Sequence, residues 1–249
     1  MIRRSTSLRA WTALTVGGSL LLGIAVTSPA PAADPGEFGA GLAISPLRIE
    51  IDDASRGATV MLTNTSQRAL PVQSRLFAWS QADGEDVYAP SADLTISPSI
   101  ASIPPGETQI VRVLRSGAAS PGEKRYRLIV DQLPDPSAAR AGAAEARIRF
   151  TVPMFLDRSK SAPAQFDWRI GASGIELVNT GGATARVMQL DVKTASGTAV
   201  PVERNSLRYV LGNSTIAWPV ENACSLGPVT VTVSIDGRTV DAQPRSTCG

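Results

Sequence analysis

The 249-residue sequence contains no histidine. This absence excludes Ser-His-Asp and Cys-His catalysis and removes the commonest zinc ligand. Gly-x-Ser-x-Gly, P-loop and His-Glu-x-x-His motifs are absent as well. Any catalysis would depend on carboxylates, yet the densest acidic positions lie in turn-like contexts beside glycine, where solvated loop residues are expected: Asp52, Asp53, Asp83, Glu85 and Asp86. The sequence therefore predicts that the protein is not an enzyme and that it holds no metal or cofactor.

Cysteine is scarce, and its two examples, Cys224 and Cys248, lie near the C-terminus. In an exported chain an isolated pair is most simply a disulfide, and its spacing is not the Cys-x-x-Cys of redox-active pairs. Aromatic residues are also few, with five Phe and three Tyr against 21 Gly and 18 Pro. This composition suits many short strands joined by turns, so all-β is the predicted fold class.

The only long apolar run lies at the N-terminus, from Ala10 to Val26. Arginines precede it and Ala30-Pro31-Ala32 follows it, which predicts a secretory signal peptide cleaved after Ala32. A membrane anchor is the alternative, but the run is interrupted by Thr and Gly and is short for a bilayer span, so no membrane insertion is expected. Removing residues 1–32 changes the formal net charge from +2 to −1, which leaves no basic excess for nucleic-acid binding.

The stretch Glu145–Asp157 has an apolar residue at every even position: Ala146, Ile148, Phe150, Val152, Met154 and Leu156. A period of two sustained this long predicts a β-strand with one apolar face. Pro153 cannot donate to a ladder and favours an edge strand or a sheet rim. A long apolar edge invites aggregation unless another protein pairs with it. The alternative is a core strand running on into an interdomain connection, and the segment by itself favours that alternative.

Turn residues divide the mature sequence into two sets of short strands. The first set fits an immunoglobulin-like sandwich, in which Pro46 marks an edge or a switch between sheets. Its other strands are expected at Ala58–Asn64, Leu70–Ser80, Leu94–Ile103, Thr108–Leu114 and around Tyr126–Val130, after a first one at Leu42–Ile51. Asp83-Gly84 predicts a hairpin, and Pro134–Glu145 predicts a mobile loop.

A second, smaller sandwich is expected after a polar linker at Asp157–Pro163. Its strands are predicted at Phe166–Ile170, Gly174–Asn179, Ala185–Lys193, Ser206–Val210, Ser214–Val220 and Val229–Ile235. The cysteine pair would link the last strands of this sandwich. We therefore predict a first domain at 33–157 and a second domain at 158–249.

Several segments, in consistent order, carry a family resemblance: Ser45-Pro46-Leu47-Arg48-Ile49, Leu62-Thr63-Asn64-Thr65 with Trp79, Ser97-Pro98-Ser99-Ile100 through Pro105–Val113, Tyr126-Arg127-Leu128 with Leu133-Pro134, and Leu177-Val178-Asn179-Thr180. Together they resemble the periplasmic pilus chaperones of the chaperone–usher pathway, the PapD-like family. The better-known branch has a Lys where this chain has Pro153. That departure is more similar to the archaic branch, which serves Csu-type and spore-coat-U-type pilins.

The resemblance implies two immunoglobulin-like domains set at an angle, with a cleft between them and no catalysis. Family members lend an exposed strand to a pilin subunit whose own sandwich lacks its last strand, and they deliver it to an outer-membrane usher. The resemblance therefore favours the edge-strand interpretation, and the same open edge would allow self-association. The residues that would fill the pilin groove are Ala146, Ile148, Phe150, Val152 and Met154.

The family also holds the C-terminal carboxylate of the pilin with two basic residues in the cleft. Arg48 matches the first of them, and an arginine can pair with a carboxylate through two parallel hydrogen bonds. For the second we select Arg127, because it is opposite in phase to Tyr126 and Leu128. Arg112 is the alternative, and an ordinary solvated charge is the alternative role for each arginine.

A different class of function stays open on sequence grounds: an exported structural or adhesive immunoglobulin-like protein that is itself assembled at the cell surface. Such a protein is expected to lack a last strand in its first sandwich and to carry an N-terminal extension of alternating apolar residues. Asp34–Gly41 does not have that pattern.

Overall fold

The computed structural model describes residues 41–52, 54–134, 146–203 and 206–249. The predicted signal peptide and most of the predicted loop between Pro134 and Glu145 lie outside these residues. In the part described, strands dominate, and two short 3₁₀ helices lie at Arg158–Lys160 and Ala223–Ser225. Neither helix, nor any other in that part, has the length and hydropathy needed to cross a bilayer. The all-β prediction is confirmed.

Among the described residues, the first two sheets contain ten strands: β1 (Leu42–Ser45), β2 (Ile49–Ile51), β3 (Gly57–Asn64), β4 (Leu70–Ala82), β5 (Glu85–Ala89), β6 (Leu94–Ser97), β7 (Ile100–Ile103), β8 (Thr108–Arg115), β9 (Lys124–Gln132) and β10 (Arg149–Leu156). One sheet has the order β1-β3-β8-β6. The other has the order β2-β10-β9-β4-β5, and β7 also pairs with β4. Their inward side chains form one core, as expected for a sandwich.

The predicted first strand is two strands in different sheets. β1 pairs antiparallel with β3, whereas β2 pairs in parallel with β10. Pro46 lies between them, in a segment where a residue without an N–H interrupts no ladder. The switch between sheets that Pro46 predicts is therefore present, and it brings the Ile49–Ile51 segment onto the outer flank of β10.

The long strand β4 continues past the predicted end near Trp79 and returns as β5. The turn between them contains Asp83 and Gly84, both with positive φ (51° and 78°), as the Asp-Gly pair predicts. β5 itself is missing from the sequence-based prediction, because every residue of Glu85–Ala89 is exposed and no apolar face marks the segment.

In the described part of the chain after residue 157, the last two sheets contain nine strands: β11 (Phe166–Gly171), β12 (Gly174–Asn179), β13 (Ala185–Thr194), β14 (Ala199–Val200), β15 (Arg208–Val210), β16 (Ser214–Trp218), β17 (Val229–Ile235), β18 (Arg238–Ala242) and β19 (Arg245–Ser246). Their orders are β16-β12-β11-β19 and β14-β13-β17-β18, with β15 also paired to β13. Trp168 and Trp218 stack in their core at 6.0 Å between ring centroids. Cys224 and Cys248 form a disulfide with Cα atoms 5.6 Å apart, so the two-sandwich fold and the disulfide are both present.

The predicted polar linker at Asp157–Pro163 is exposed along much of its length, but its first residue is buried. Asp157 is 1% exposed and has a left-handed φ of 53°. Its carboxylate accepts hydrogen bonds from the Arg115 guanidinium (3.0 Å) and from the Ser120 N–H (2.6 Å). Burial alone raises the pKa of Asp157, but these hydrogen bonds outweigh it and hold the pKa below its ordinary value. The predicted boundary after Asp157 falls between the two pairs of sheets, and the domain limits themselves stay a prediction.

We expect Asp157→Asn to lower the free energy of unfolding by about 3 kcal/mol at neutral pH, because it leaves the Arg115 charge buried without its partner. Asparagine keeps the size and tolerates the left-handed backbone, so the substitution isolates the charge. Because the folded-state pKa is lowered, this stabilisation is present above the unfolded-state pKa of about 4 and is lost as the pH falls further. Urea unfolding curves recorded at several pH values between neutral and acidic measure both effects. Exposed Asp191→Asn is the control, and an equal loss in both variants would contradict the assignment.

Candidate strand-pairing edge and its anchor residues

The two flanks of β10 are unequally occupied. On its inner flank β10 pairs with β9 along its whole length, from Arg149 opposite Asp131 to Leu156 opposite Lys124. On its outer flank β2 pairs only with Met154–Leu156. The stretch Arg149–Pro153 has no described strand on that flank, and we call it the open edge. The structure thus contains the edge strand that Pro153 predicts.

Hydrogen bonds fix which residues of β10 face the open edge. The Gln132 N–H of β9 donates to the Ile148 carbonyl (2.9 Å), so the main-chain groups of even-numbered residues point inward, towards β9. The Asp157 N–H donates to the Ile51 carbonyl of β2 (3.0 Å), so the main-chain groups of odd-numbered residues point outward. Arg149 and Thr151 therefore present N–H and C=O groups on the open edge. Pro153 belongs to the same outward series, and its missing N–H costs the β9–β10 ladder no hydrogen bond.

The even-numbered side chains of this segment fall into two groups. Val152 and Met154 are 2% and 0% exposed and lie in the core of the first sandwich. Ile148 and Phe150 are half-buried against the edge of that core, and Ala146 is exposed. Met154 also has strands on both sides, β9 and β2. Of the five residues predicted to fill a partner's groove, only Ala146, Ile148 and Phe150 are thus accessible to a partner.

An ion-paired cluster lies on the other face of the open edge. Asp131 of β9 pairs with Arg75 (2.6 Å) and with Arg149, whose side chain is 62% exposed. Burial raises the pKa of Asp131, but the hydrogen bonds from Arg149 and Arg75 outweigh it and lower the pKa. The carboxylate is therefore ionised at neutral pH, and it holds Arg149 against the sheet at the start of the open edge.

Arg48 lies where β2 begins, on the face that carries Phe155. Its guanidinium carbon is 4.8 Å from the centroid of the Phe155 ring. The same guanidinium pairs with Glu50 (2.5 Å), and the two side chains are 33% and 42% exposed. An exposed pair of this kind contributes little to stability. Arg48 is thus accessible beside the end of the open edge, as its predicted role requires.

Arg127 faces away from the core, as its phase predicts, but it is only 8% exposed. Its guanidinium carbon lies 3.6 Å from the Trp79 ring centroid and 5.2 Å from that of Tyr209. It also pairs with Asp86 at 3.4 Å. Both predicted anchors therefore contact one aromatic cluster, in which the Trp79 ring is 6.2 Å from Phe155 and 5.4 Å from Tyr209. The alternative, Arg112, is exposed on β8 in the other sheet.

A cleft of about 460 Å³ separates β10 from the β4–β5 hairpin and the β15 strand. Thr151, Pro153 and Arg127 line one side, and Arg208 and Tyr209 belong to the second sandwich. Arg208 donates to the Gly84 carbonyl (2.7 Å), and Gln81 donates to the Tyr209 carbonyl (2.8 Å). In the described ranges, no group of three or more acidic or cysteine side chains is placed to hold a metal ion.

Sequence-based reasoning missed Glu123 and Arg158. The Glu123 side chain is completely buried and pairs with Arg125 (2.8 Å) and with Arg158. It also accepts hydrogen bonds from the N–H (3.0 Å) and hydroxyl (2.5 Å) of Thr184, so it links the two sandwiches. Arg158 also lies over Phe155, at 5.4 Å from the ring centroid. A single acid after a Pro-Gly turn gives no sequence signal for such a network.

Part of the sequence and most of the fold are similar to those of known proteins. Residues 41–158 match the family described as pili and flagellar-assembly chaperone, PapD N-terminal domain. The chain is similar in structure to a chain of the CsuC–CsuE chaperone–tip adhesion subunit pre-assembly complex from the archaic chaperone–usher Csu pili of Acinetobacter baumannii, with 24% identity over 83% of this chain and 99% of that one, at a TM-score of 0.64.

Two further solved structures have the same fold. The E. coli chaperone DraB is 18% identical over 83% of this chain and 96% of its own, at a TM-score of 0.58. A chain of the Salmonella enterica complex of SafA pilin with the SafB chaperone is 16% identical over 81% of this chain and 95% of that one, at a TM-score of 0.57. No curated protein matches the sequence.

We expect Arg127→Lys to lower the free energy of unfolding by about 1–2 kcal/mol, because lysine keeps the charge but not the planar group that stacks on Trp79 and Tyr209. Urea unfolding followed by tryptophan fluorescence measures the change. The matched control is Arg112→Lys at an exposed position of β8 in the other sheet, which should stay within about 0.5 kcal/mol of the unmodified protein. An Arg127→Lys protein with an unchanged free energy of unfolding would mean that the buried stack does not stabilise the fold.

Proposed function

We propose, from the match of residues 41–158 to the family described as pili and flagellar-assembly chaperone, PapD N-terminal domain, that the chain is a periplasmic chaperone that caps pilus subunits by donating a strand. The observation that carries the proposal is the open edge of β10, where Arg149 and Thr151 offer main-chain groups beside the half-buried Ile148 and Phe150. The client is a subunit whose own sandwich is one strand short.

Strand addition explains why both the main chain and the side chains of this segment matter. Main-chain hydrogen bonds along the open edge would supply affinity, and alternate side chains would supply specificity. An incomplete subunit exposes an apolar groove and two unpaired strand edges, which makes it prone to aggregation. Ala146, Ile148 and Phe150 would enter that groove. Val152 and Met154 belong to the chaperone's own core, so the proposal restricts the donated face to the first three residues.

The client's C-terminal carboxylate is proposed to bind at the end of the open edge, where β2 begins. An incoming strand parallel to β10 would run directly towards Ile49 and could not continue past it. Arg48 precedes Ile49 and is accessible; its guanidinium lies over Phe155 and pairs with the exposed Glu50. Arg127 is less favourable, because Asp86 and two aromatic rings already surround its guanidinium. Arg48 is therefore the primary anchor and Arg127 the secondary one.

The remaining parts of the proposal concern the cellular setting. The leader of residues 1–32 would direct the chain to the periplasm, where the Cys224–Cys248 disulfide can form and persist. There the capped subunit would pass to an outer-membrane usher without any catalytic step by the chaperone. Under the alternative function, in which this chain is itself an assembled structural or adhesive subunit, its first sandwich would have to lack a strand. β10 completes this one, so the adhesive alternative is not favoured.

The double variant Ile148→Asp plus Phe150→Asp tests the donated face by co-expression with a pilin subunit encoded beside the chaperone gene. Burying a carboxylate in an apolar groove costs several kcal/mol, so we expect the soluble, chaperone-bound subunit to fall by at least about a hundredfold. The control Arg147→Gln plus Thr151→Ser changes the opposite face of the same strand. Urea unfolding of each purified chaperone separates a folding defect from a binding defect. An unchanged amount of soluble, chaperone-bound subunit with the doubly charged variant would contradict the donor-strand role.

Arg48→Ala tests the anchor. We expect the complex with the subunit to weaken by about 2–4 kcal/mol, because the terminal carboxylate would be desolvated without a cation. The unfolding free energy of the chaperone should change by less than about 1 kcal/mol, since its pair with Glu50 is exposed. Subunit yield and dissociation rate are the measurements, with Arg112→Ala as the control. Equal yields for the two variants would contradict the anchor.

A further inference from the structure

Pro153 is the last of the odd-numbered residues of β10 whose main-chain groups point away from β9 before β2 begins to pair with the strand. The outward main-chain groups run Arg149, Thr151, Pro153 and Phe155, and the last of these already faces β2. The pairing of Met154 with Ile49 directs the Ile49 N–H to the Pro153 carbonyl. Pro153 therefore offers an added strand neither a donor nor a free acceptor, although its neighbour Thr151 offers both.

We propose that Pro153 sets the register of the client by withholding one N–H, so that the last client residue lies opposite Val152 and its carboxylate depends on Arg48. This inference rests on the proposed donor-strand function. In a parallel ladder, a client residue opposite Val152 donates its own N–H to the Thr151 carbonyl, and its carbonyl faces the nitrogen of residue 153. Proline has no hydrogen there, so this carbonyl oxygen has no main-chain partner.

The missing N–H discriminates between a chain end and a continuing chain. An internal carbonyl without a partner costs about 1–3 kcal/mol when it is desolvated. A terminal carboxylate has a second oxygen and a full charge, and Arg48 is adjacent in sequence to Ile49, on the Phe155 face of the sheet. Charge-assisted pairing with a guanidinium compensates for the missing main-chain donor. The site would therefore select free C-termini more strongly than a ladder with an N–H at residue 153.

The direction of the client strand follows from the same groups. β2 occupies the outer flank beyond Pro153 and runs parallel to β10. A parallel client would bring a carboxylate to Arg48, whereas an antiparallel client would bring an ammonium group, which the guanidinium repels. Glu50 is the internal carboxylate that holds Arg48 in the free protein, and its 42% exposure allows it to turn away when a client carboxylate arrives.

Peptide binding to the full mature chain tests the inference. The probe is a synthetic peptide of alternating valine and serine with a lysine pair at its N-terminus, prepared as the free acid and as the C-terminal amide. Pro153→Ala restores an outward N–H without touching the β9 ladder. We expect it to bind both peptides about tenfold more tightly or better, and to reduce the preference for the free acid. Pro163→Ala controls for the general effect of losing a proline, at an exposed position outside the edge, whereas Pro153 itself is buried.

A coupling experiment and an exchange experiment complete the test. Arg48→Ala should weaken binding of the free acid about a hundredfold in the unmodified protein but only about tenfold in the Pro153→Ala protein, because the added N–H shares the carboxylate. Hydrogen exchange should show peptide-dependent protection at the Thr151 amide, no change at Val152, and a newly protected amide at position 153 in the variant.

The outcomes separate the two levels of the proposal. Peptide binding with protection of Thr151, but with identical affinities and identical Arg48 dependence in the Pro153→Ala protein, would overturn the register role and leave the donor edge intact. Absence of any peptide binding or protection along β10 would remove the donor edge together with the inference. Protection of Val152 in place of Thr151 would contradict the assigned flanks.

Discussion

The alternation of main-chain groups along β10 is the constraint on which the rest of this structure depends. A strand has two flanks, and every N–H and C=O group must find a partner on one of them or remain in water. Even-numbered residues of β10 are satisfied by β9, whereas the odd-numbered residues divide between β2 and the open edge, on which no described strand lies. The same strand thus completes the chaperone's own sandwich and leaves part of a ladder free. Its side chains divide at nearly the same place, since Val152 and Met154 enter the core while Ile148 and Phe150 only border it.

The junction between the sandwiches holds the end of this edge in place. Buried Asp157 ties the end of β10 to Arg115, and buried Glu123 ties Arg125 and Arg158 to Thr184 of the second sandwich. Buried ion pairs of this kind are a weak source of net stability but tolerate few alternative geometries. Arg48 and Arg158 both lie over Phe155, so the proposed anchor region is built on residues whose positions these pairs fix.

Local patterns in the sequence predicted the fold and part of the site. The period of two in Glu145–Asp157 predicted the strand, Pro153 predicted the edge, and Pro46 predicted the sheet switch, because each depends on properties of a few adjacent residues. The extent of Val152 and Met154 burial could not be predicted, since it depends on packing against core residues of the other sheet that are far apart in the sequence. Arg127 was correctly directed out of the core, but its contacts with Trp79 and Tyr209 depend on packing between residues far apart in the sequence. Glu123 and the wholly exposed β5 had no periodic signal at all.

The sheet that contains the open edge has a second end, formed by β5. That strand is short and fully exposed, and it begins with Glu85 and Asp86. Short edge strands that carry charged side chains interrupt continuous apolar contact, which is a common protection against edge-to-edge growth. Extension of the sheet is therefore one-sided. A one-sided sheet accepts a single added chain, so under the proposed function the expected stoichiometry is one client per chain.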